Sequence, residues 1–153
     1  MKRIAVLFLV AGLVPVFAEP SPTPSPSPAT PTADETPLAR SRALELAGAF
    51  ANEGYKIRDG FWSGSIEKDK PVFIQINVFA GNEYWFCAAA TGAARKLSVS
   101  VFDENGKPVE GEIYEDGASA AAGLVPESSG PRIVRVLLTE GEKSEFCLVY
   151  AYK

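Results

Sequence analysis

Val72-Phe73-Ile74-Gln75-Ile76-Asn77-Val78-Phe79, the turn Ala80-Gly81-Asn82, and then Glu83-Tyr84-Trp85-Phe86-Cys87-Ala88-Ala89-Ala90 set the period of this chain. Val72, Ile74, Ile76 and Val78 recur at every second position, which places them on one face of an extended strand. Gly81 and Asn82 tolerate the tight backbone that a reversal needs, so the two runs read as neighbouring strands. Extending the same reading in both directions predicts strands at 61–67, 72–79, 83–90, 96–102, 108–114, 132–139 and 144–152, with a weaker one around 118–125. Lys68-Asp69-Lys70-Pro71, Asp103-Glu104-Asn105-Gly106 and Glu140-Gly141-Glu142 supply turns between them, and Asn105-Gly106 is a strong hairpin signal. Seven or eight short antiparallel strands predict a mainly β fold, a β-sandwich or jelly roll with one core.

Upstream the period changes. Thr36-Pro37 offers a helix start, and Ala43, Leu46, Ala47 and Phe50 recur at three- and four-residue spacing until Gly54, so one N-terminal amphipathic helix is expected over 37–53. The helix bears on a second oddity. The strand at 72–79 carries Phe73 and Phe79 on the face that also holds Gln75 and Asn77, and Tyr84 and Phe86 alternate with Trp85 and Cys87. A sandwich strand buries one face. Either the helix covers these second faces or they stay open for binding; the covering helix is the favoured reading, because its own apolar stripe has to be buried.

Residues 1–18 read as a secretory signal: Lys2 and Arg3, an apolar run from Ile4, and Val16-Phe17-Ala18 before the expected cut after Ala18. The run is shorter than the ~20 residues that span a bilayer, so no membrane span is expected in the mature chain. Residues 19–36 follow as a Pro/Ser/Thr-rich linker with Pro near every second position, which bars helix and sheet pairing. As extended polyproline it would reach roughly 55 Å, a stalk holding the domain at 37–153 away from a surface or partner. A periplasmic or extracellular location follows. With 15 Lys and Arg against 19 Asp and Glu, and two of the bases in the signal, nucleic acid is a poor partner.

The chain contains no histidine, which removes His-ligated zinc, Ser-His-Asp triads and Cys-His dyads together. Glu110, Glu112, Glu115 and Asp116 are clustered enough for carboxylate chemistry, but a solvated acidic edge is the expected role, and Asp103, Asn105 and Glu110 lack the spacing of a calcium loop. No catalytic residue, metal or cofactor is assigned. Cys87 and Cys147 are an even pair in an exported chain and read as a disulfide, with two buried free thiols as the alternative. Trp62 and Trp85 are the candidate ligand-binding residues, each able to stack on a sugar or an apolar peptide if it faces solvent; packing beneath the helix is the alternative.

The Gly81-Asn82 turn with Tyr84-Trp85-Phe86, the run from Leu97 through Asn105-Gly106 to Val109, and Ser129-Gly130-Pro131-Arg132-Ile133-Val134-Arg135-Val136 resemble the bacterial pre-peptidase C-terminal domains over roughly residues 70–152. The resemblance implies a jelly-roll sandwich of an exported protein that assists localisation or substrate contact. The acidic residues that often precede the Leu-x-Val strand are replaced by Ala93-Ala94-Arg95-Lys96, which weakens any calcium site the resemblance would carry over. The expected function is a non-enzymatic binding module on a Pro-rich stalk, contacting an envelope protein or polysaccharide. A structural component of an envelope assembly is the alternative.

Overall fold

The computed structural model of the chain describes residues 35–153; the expected signal at 1–18 and nearly all of the linker lie outside the described residues. Helix α1 (Glu35–Ala49) runs into a single 3-10 turn (Phe50–Glu53) that ends on Gly54 in the left-handed conformation. Nine strands follow: β1 (Lys56–Ile57), β2 (Trp62–Ile66), β3 (Val72–Val78), β4 (Tyr84–Ala90), β5 (Ala94–Phe102), β6 (Ile113–Asp116), β7 (Ser119–Leu124), β8 (Gly130–Gly141) and β9 (Ser144–Tyr152). All named strand pairs are antiparallel. The larger sheet has the order β1-β9-β4-β7-β6, with β2 also on β9, and the smaller has the order β3-β8-β5. The molecule is thus a β-sandwich with one helix, stacked as helix, six-stranded sheet and three-stranded sheet.

Alternation assigns the side chains to two cores. Between the sheets lie Ile74, Ile76 and Val78 of β3, Leu97, Val99 and Val101 of β5, and Val134, Val136 and Leu138 of β8. Tyr84, Phe86 and Ala88 of β4 and Phe146, Leu148 and Tyr150 of β9 face them. The other parity of β4 and β9, Trp85, Cys87, Ala89, Cys147, Val149 and Ala151, forms a second core with α1. Strand β4, and β9 from Phe146 onward, are apolar on both faces because both faces are covered.

The helix reaches this sheet through alanines. Ala39, Ala43 and Ala47, four residues apart, are fully buried, while Leu44, Leu46 and Phe50 pack along the sides. Small side chains on both surfaces let the helix sit close to the strands. This shifts the expected stripe of Ala43, Leu46, Ala47 and Phe50 by part of a turn and adds Ala39. The helix also starts earlier than expected, so Thr36 and Pro37 lie in its first turn, where proline's missing N–H costs nothing. Glu145 is buried beside that turn and its carboxylate accepts a 3.5 Å hydrogen bond from the Thr36 hydroxyl, an acidic group placed where the helix dipole favours one.

The strand expected at 108–114 is corrected. The Asn105-Gly106 turn forms, with Gly106 at φ 78°, the Asp103 Oδ1 accepting from the backbone N–H of Asn105 at 2.9 Å and of Lys107 at 2.8 Å, and Val109 N bonding Val101 O at 2.9 Å. The chain then leaves β5 after a single bridge at Pro108 and crosses to the larger sheet, where pairing resumes only at Ile113. Gly111 permits that crossing, because a Cβ there would collide with the carbonyl oxygen of Gly123.

Candidate interaction face

The two tryptophans are separated by the fold. Trp85 is 8% exposed and lies flat on Phe50, with ring centroids 4.3 Å apart and planes 10° from parallel, so it closes the helix-side core instead of offering a platform to solvent. Its cross-strand partner is Gly123, whose missing side chain leaves room for the indole. Trp62, 36% exposed, stacks loosely on Tyr150 at 6.1 Å at the sheet margin. Its neighbour Phe61 takes the opposite side and receives the Arg40 guanidinium over its ring at 4.3 Å. No common surface contains both tryptophans.

The expected disulfide is also corrected: Cys87 and Cys147 are both buried free thiols. They lie on adjacent strands and the same face, but the register sets Cys87 against Val149 and Cys147 against Ala89. They are diagonal neighbours, a relation that holds Cα atoms roughly 7–8 Å apart, beyond the usual disulfide span. Burial pushes the Cys87 thiol up to about 12 and the Cys147 thiol to about 11.

The four acidic residues singled out from the sequence do not share one site: Glu115 and Asp116 lie apart from Glu110 and Glu112. Glu115 reaches toward Lys96 at 3.9 Å, and Asp116 accepts from the Tyr114 hydroxyl at 3.4 Å. Glu110 and Glu112 line a shallow groove of about 360 Å³ with Glu53 and Glu83. Glu83 is occupied there by the Tyr55 hydroxyl at 2.9 Å and Lys153 Nζ at 3.0 Å, which together hold its carboxyl below the usual glutamate range. Asp103 is spent on its turn, and among the described residues no three His, Cys, Asp or Glu are grouped to hold a metal ion.

Among the described residues, what remains uncovered is the outer face of the three-stranded sheet. The helix lies on β4 and β9, on the far side of the molecule, so the expected covering of β3 does not occur. Phe73 is 60% exposed and Phe79, just beyond the strand, 58%. Register builds rows across the face: Phe73, Arg135 and Ser100 in one, Gln75, Ile133 and Phe102 in the next, with Leu137 opposite Ser98 beyond. The Arg135 guanidinium lies 5.1 Å from the Phe102 ring centroid, and its Nη2 donates to Ser100 Oγ at 3.2 Å. This surface combines an exposed aromatic ring, branched aliphatic side chains and an arginine, and of these the aromatic and the arginine are residue types enriched in protein interfaces. Phe73 was legible in the sequence as an apolar residue on the second face of its strand; Arg135 was legible only as a basic residue, because its row exists only across strands far apart in sequence.

No family model matches the chain. No curated protein matches it either. Among solved structures it is similar to PliG of Aeromonas hydrophila, a periplasmic inhibitor of g-type lysozyme. The TM-score is 0.44 and the identity 16%, over 66% of this chain and 90% of that one. A likeness this distant carries no argument about what the chain does.

Proposed function

We propose that the chain is an exported, non-enzymatic binding module that docks a protein partner on the open face of its three-stranded sheet, presented on the Pro-rich segment at 19–36 in the periplasm or outside the cell. The observation that carries this reading is Phe73, a large aromatic side chain standing 60% exposed as the second residue of a regular strand, beside Arg135 and near Ile133 and Leu137 of the neighbouring strand. Leaving such a surface in water forgoes burial of roughly 25 cal/mol per Å² of apolar area, which docking recovers. A protein partner is favoured over polysaccharide because sugar stacking calls for an accessible flat ring with a polar edge, whereas Trp85 is buried beneath the helix and the partly exposed Trp62 stacks on Tyr150 on the other sheet, away from this face. The absence of histidine from the chain and the separation of Glu115 and Asp116 from Glu110 and Glu112 support the non-enzymatic part. The resemblance to pre-peptidase C-terminal domains supports an accessory role of the same kind.

A photo-cross-linking amino acid placed at position 73, and separately at exposed Lys143 as a control, tests the reading in the cells that make the protein. A discrete protein adduct from position 73 and none from position 143 is expected. Adducts from both positions alike, or saturable pelleting with insoluble polysaccharide that Phe73→Ala leaves unchanged, would overturn it.

A further inference from the structure

Charge is distributed unevenly over this acidic chain. Strands β3 and β5 contain no Asp or Glu, and β8 contains none before Glu140, although the chain holds 19 acidic residues. The same sheet carries Arg95, Lys96, Arg132 and Arg135. Two of these arginines have a buried Nε without a hydrogen-bond acceptor, and they differ in what the rest of the guanidinium does. Arg132 is consumed locally: its Nη1 donates to Pro131 O at 2.9 Å and its Nη2 to Ser128 O at 3.1 Å. The Arg135 side chain makes one hydrogen bond, to Ser100, and has no ion-pair partner among the described residues.

Its surroundings sharpen the contrast. Phe73 and Ser100 flank Arg135 across the strands, Ile133 and Leu137 flank it along β8, and Phe102 lies within cation–π range. A guanidinium stays charged at any physiological pH and offers five N–H donors. Here it rests on apolar side chains that partly exclude water, where an ion pair gains strength, and no carboxylate of its own sheet competes for it.

Building on the docking role proposed for this face, we infer that the partner delivers a carboxylate to Arg135, flanked by an apolar side chain that packs on Phe73. The carboxylate takes the guanidinium nitrogens that Ser100 leaves unused, in a charge-assisted contact that a planar acid matches better than a hydroxyl or amide. The neighbouring ring and aliphatic groups bury the apolar part of the same segment.

The test uses two small probes that differ only in the acid, 3-phenylpropionate and 3-phenylpropanol, titrated into the purified chain with NMR detection of the Phe73 amide and the Arg135 Nε–H. Phenylpropionate should shift both signals and bind about tenfold more tightly than the alcohol, and Arg135→Gln should erase that difference while leaving the melting temperature within a few degrees. Equal binding of both probes at Phe73 would overturn the carboxylate and leave the docking face standing. No shift at the face with either probe would also overturn it, with the cross-link from position 73 deciding the docking reading separately. Concentration-dependent self-association abolished by Phe73→Ala would make the occupant a second copy of this chain and overturn the inference as well.

Discussion

Trp85 and Phe73 are both aromatic residues on strands with two apolar faces, yet one is a structural residue and the other is available to a partner. Trp85 is sandwiched between Phe50 and the surface that Gly123 leaves open, so Trp85→Ala removes a filled core volume and should cost about 3–5 kcal/mol in urea unfolding. Phe73→Ala deletes a side chain that is already mostly in water and should stay within about 0.5 kcal/mol of the parent in the same assay. The cysteines yield a second contrast. With their thiols raised to about 12 and 11 by burial, Cys87 and Cys147 hold almost no thiolate at pH 8, so native protein should resist iodoacetamide. Mass spectrometry should find both alkylated after unfolding in denaturant without reductant; a chain carrying the disulfide would show neither.

Helix α1 owes its position to three alanines that stack on a small-residue surface of β4, β7 and β9, where Cys87, Ala89, Ala121 and Ala151 are fully buried. A helix seated this closely has no room for a larger side chain. Ala43→Leu lowers helix propensity only slightly but adds three carbons to a filled contact, so it should lower stability by about 1–3 kcal/mol, read as a reduced midpoint in thermal or urea unfolding. The same substitution at Glu45, exposed on the opposite side, should be nearly neutral. Much of this element was legible. The helix, the turns at Gly81 and Gly106, and the strand at 144–152 emerge from local spacing, because backbone sterics and turn chemistry are settled by near neighbours. The alanine stripe was harder to see, since alanine is common on exposed and buried helix faces alike and its role depends on what lies opposite.

Across the whole molecule, the C-terminus is fastened to the start of β4. Lys153 and Glu83 exchange backbone hydrogen bonds at 2.9 and 3.0 Å, Lys153 Nζ meets the Glu83 carboxylate at 3.0 Å, and it sits 4.4 Å over the Tyr55 ring, whose hydroxyl donates to the same carboxylate. The hydrogen bonds from Lys153 and Tyr55 lower the Glu83 pKa in the folded protein. A carboxyl whose folded pKa is depressed contributes stability above its unfolded value, about 4.3, and loses it as pH falls through the lower folded value. NMR titration should place the Glu83 midpoint below that of an ordinary glutamate, and Lys153→Met should move it back up; an unmoved midpoint would show that the latch is not formed.

Period-two alternation, the glycine and asparagine turns and the helix boundary were set by the chain locally, and so was the mainly β character, since each depends on residues within a few positions of one another. Tertiary structure alone decided that the helix lies on β4 and β9 and not on β3, that Cys87 and Cys147 stand on a diagonal, and that Arg135 shares a row with Phe73 and Ser100. Those outcomes turn on which distant strands pair and in what register, and a shift of one residue would carry every side chain to the opposite face. Two apolar faces on a strand say that something must cover them or use them; only the packed molecule separates the covered face from the open one.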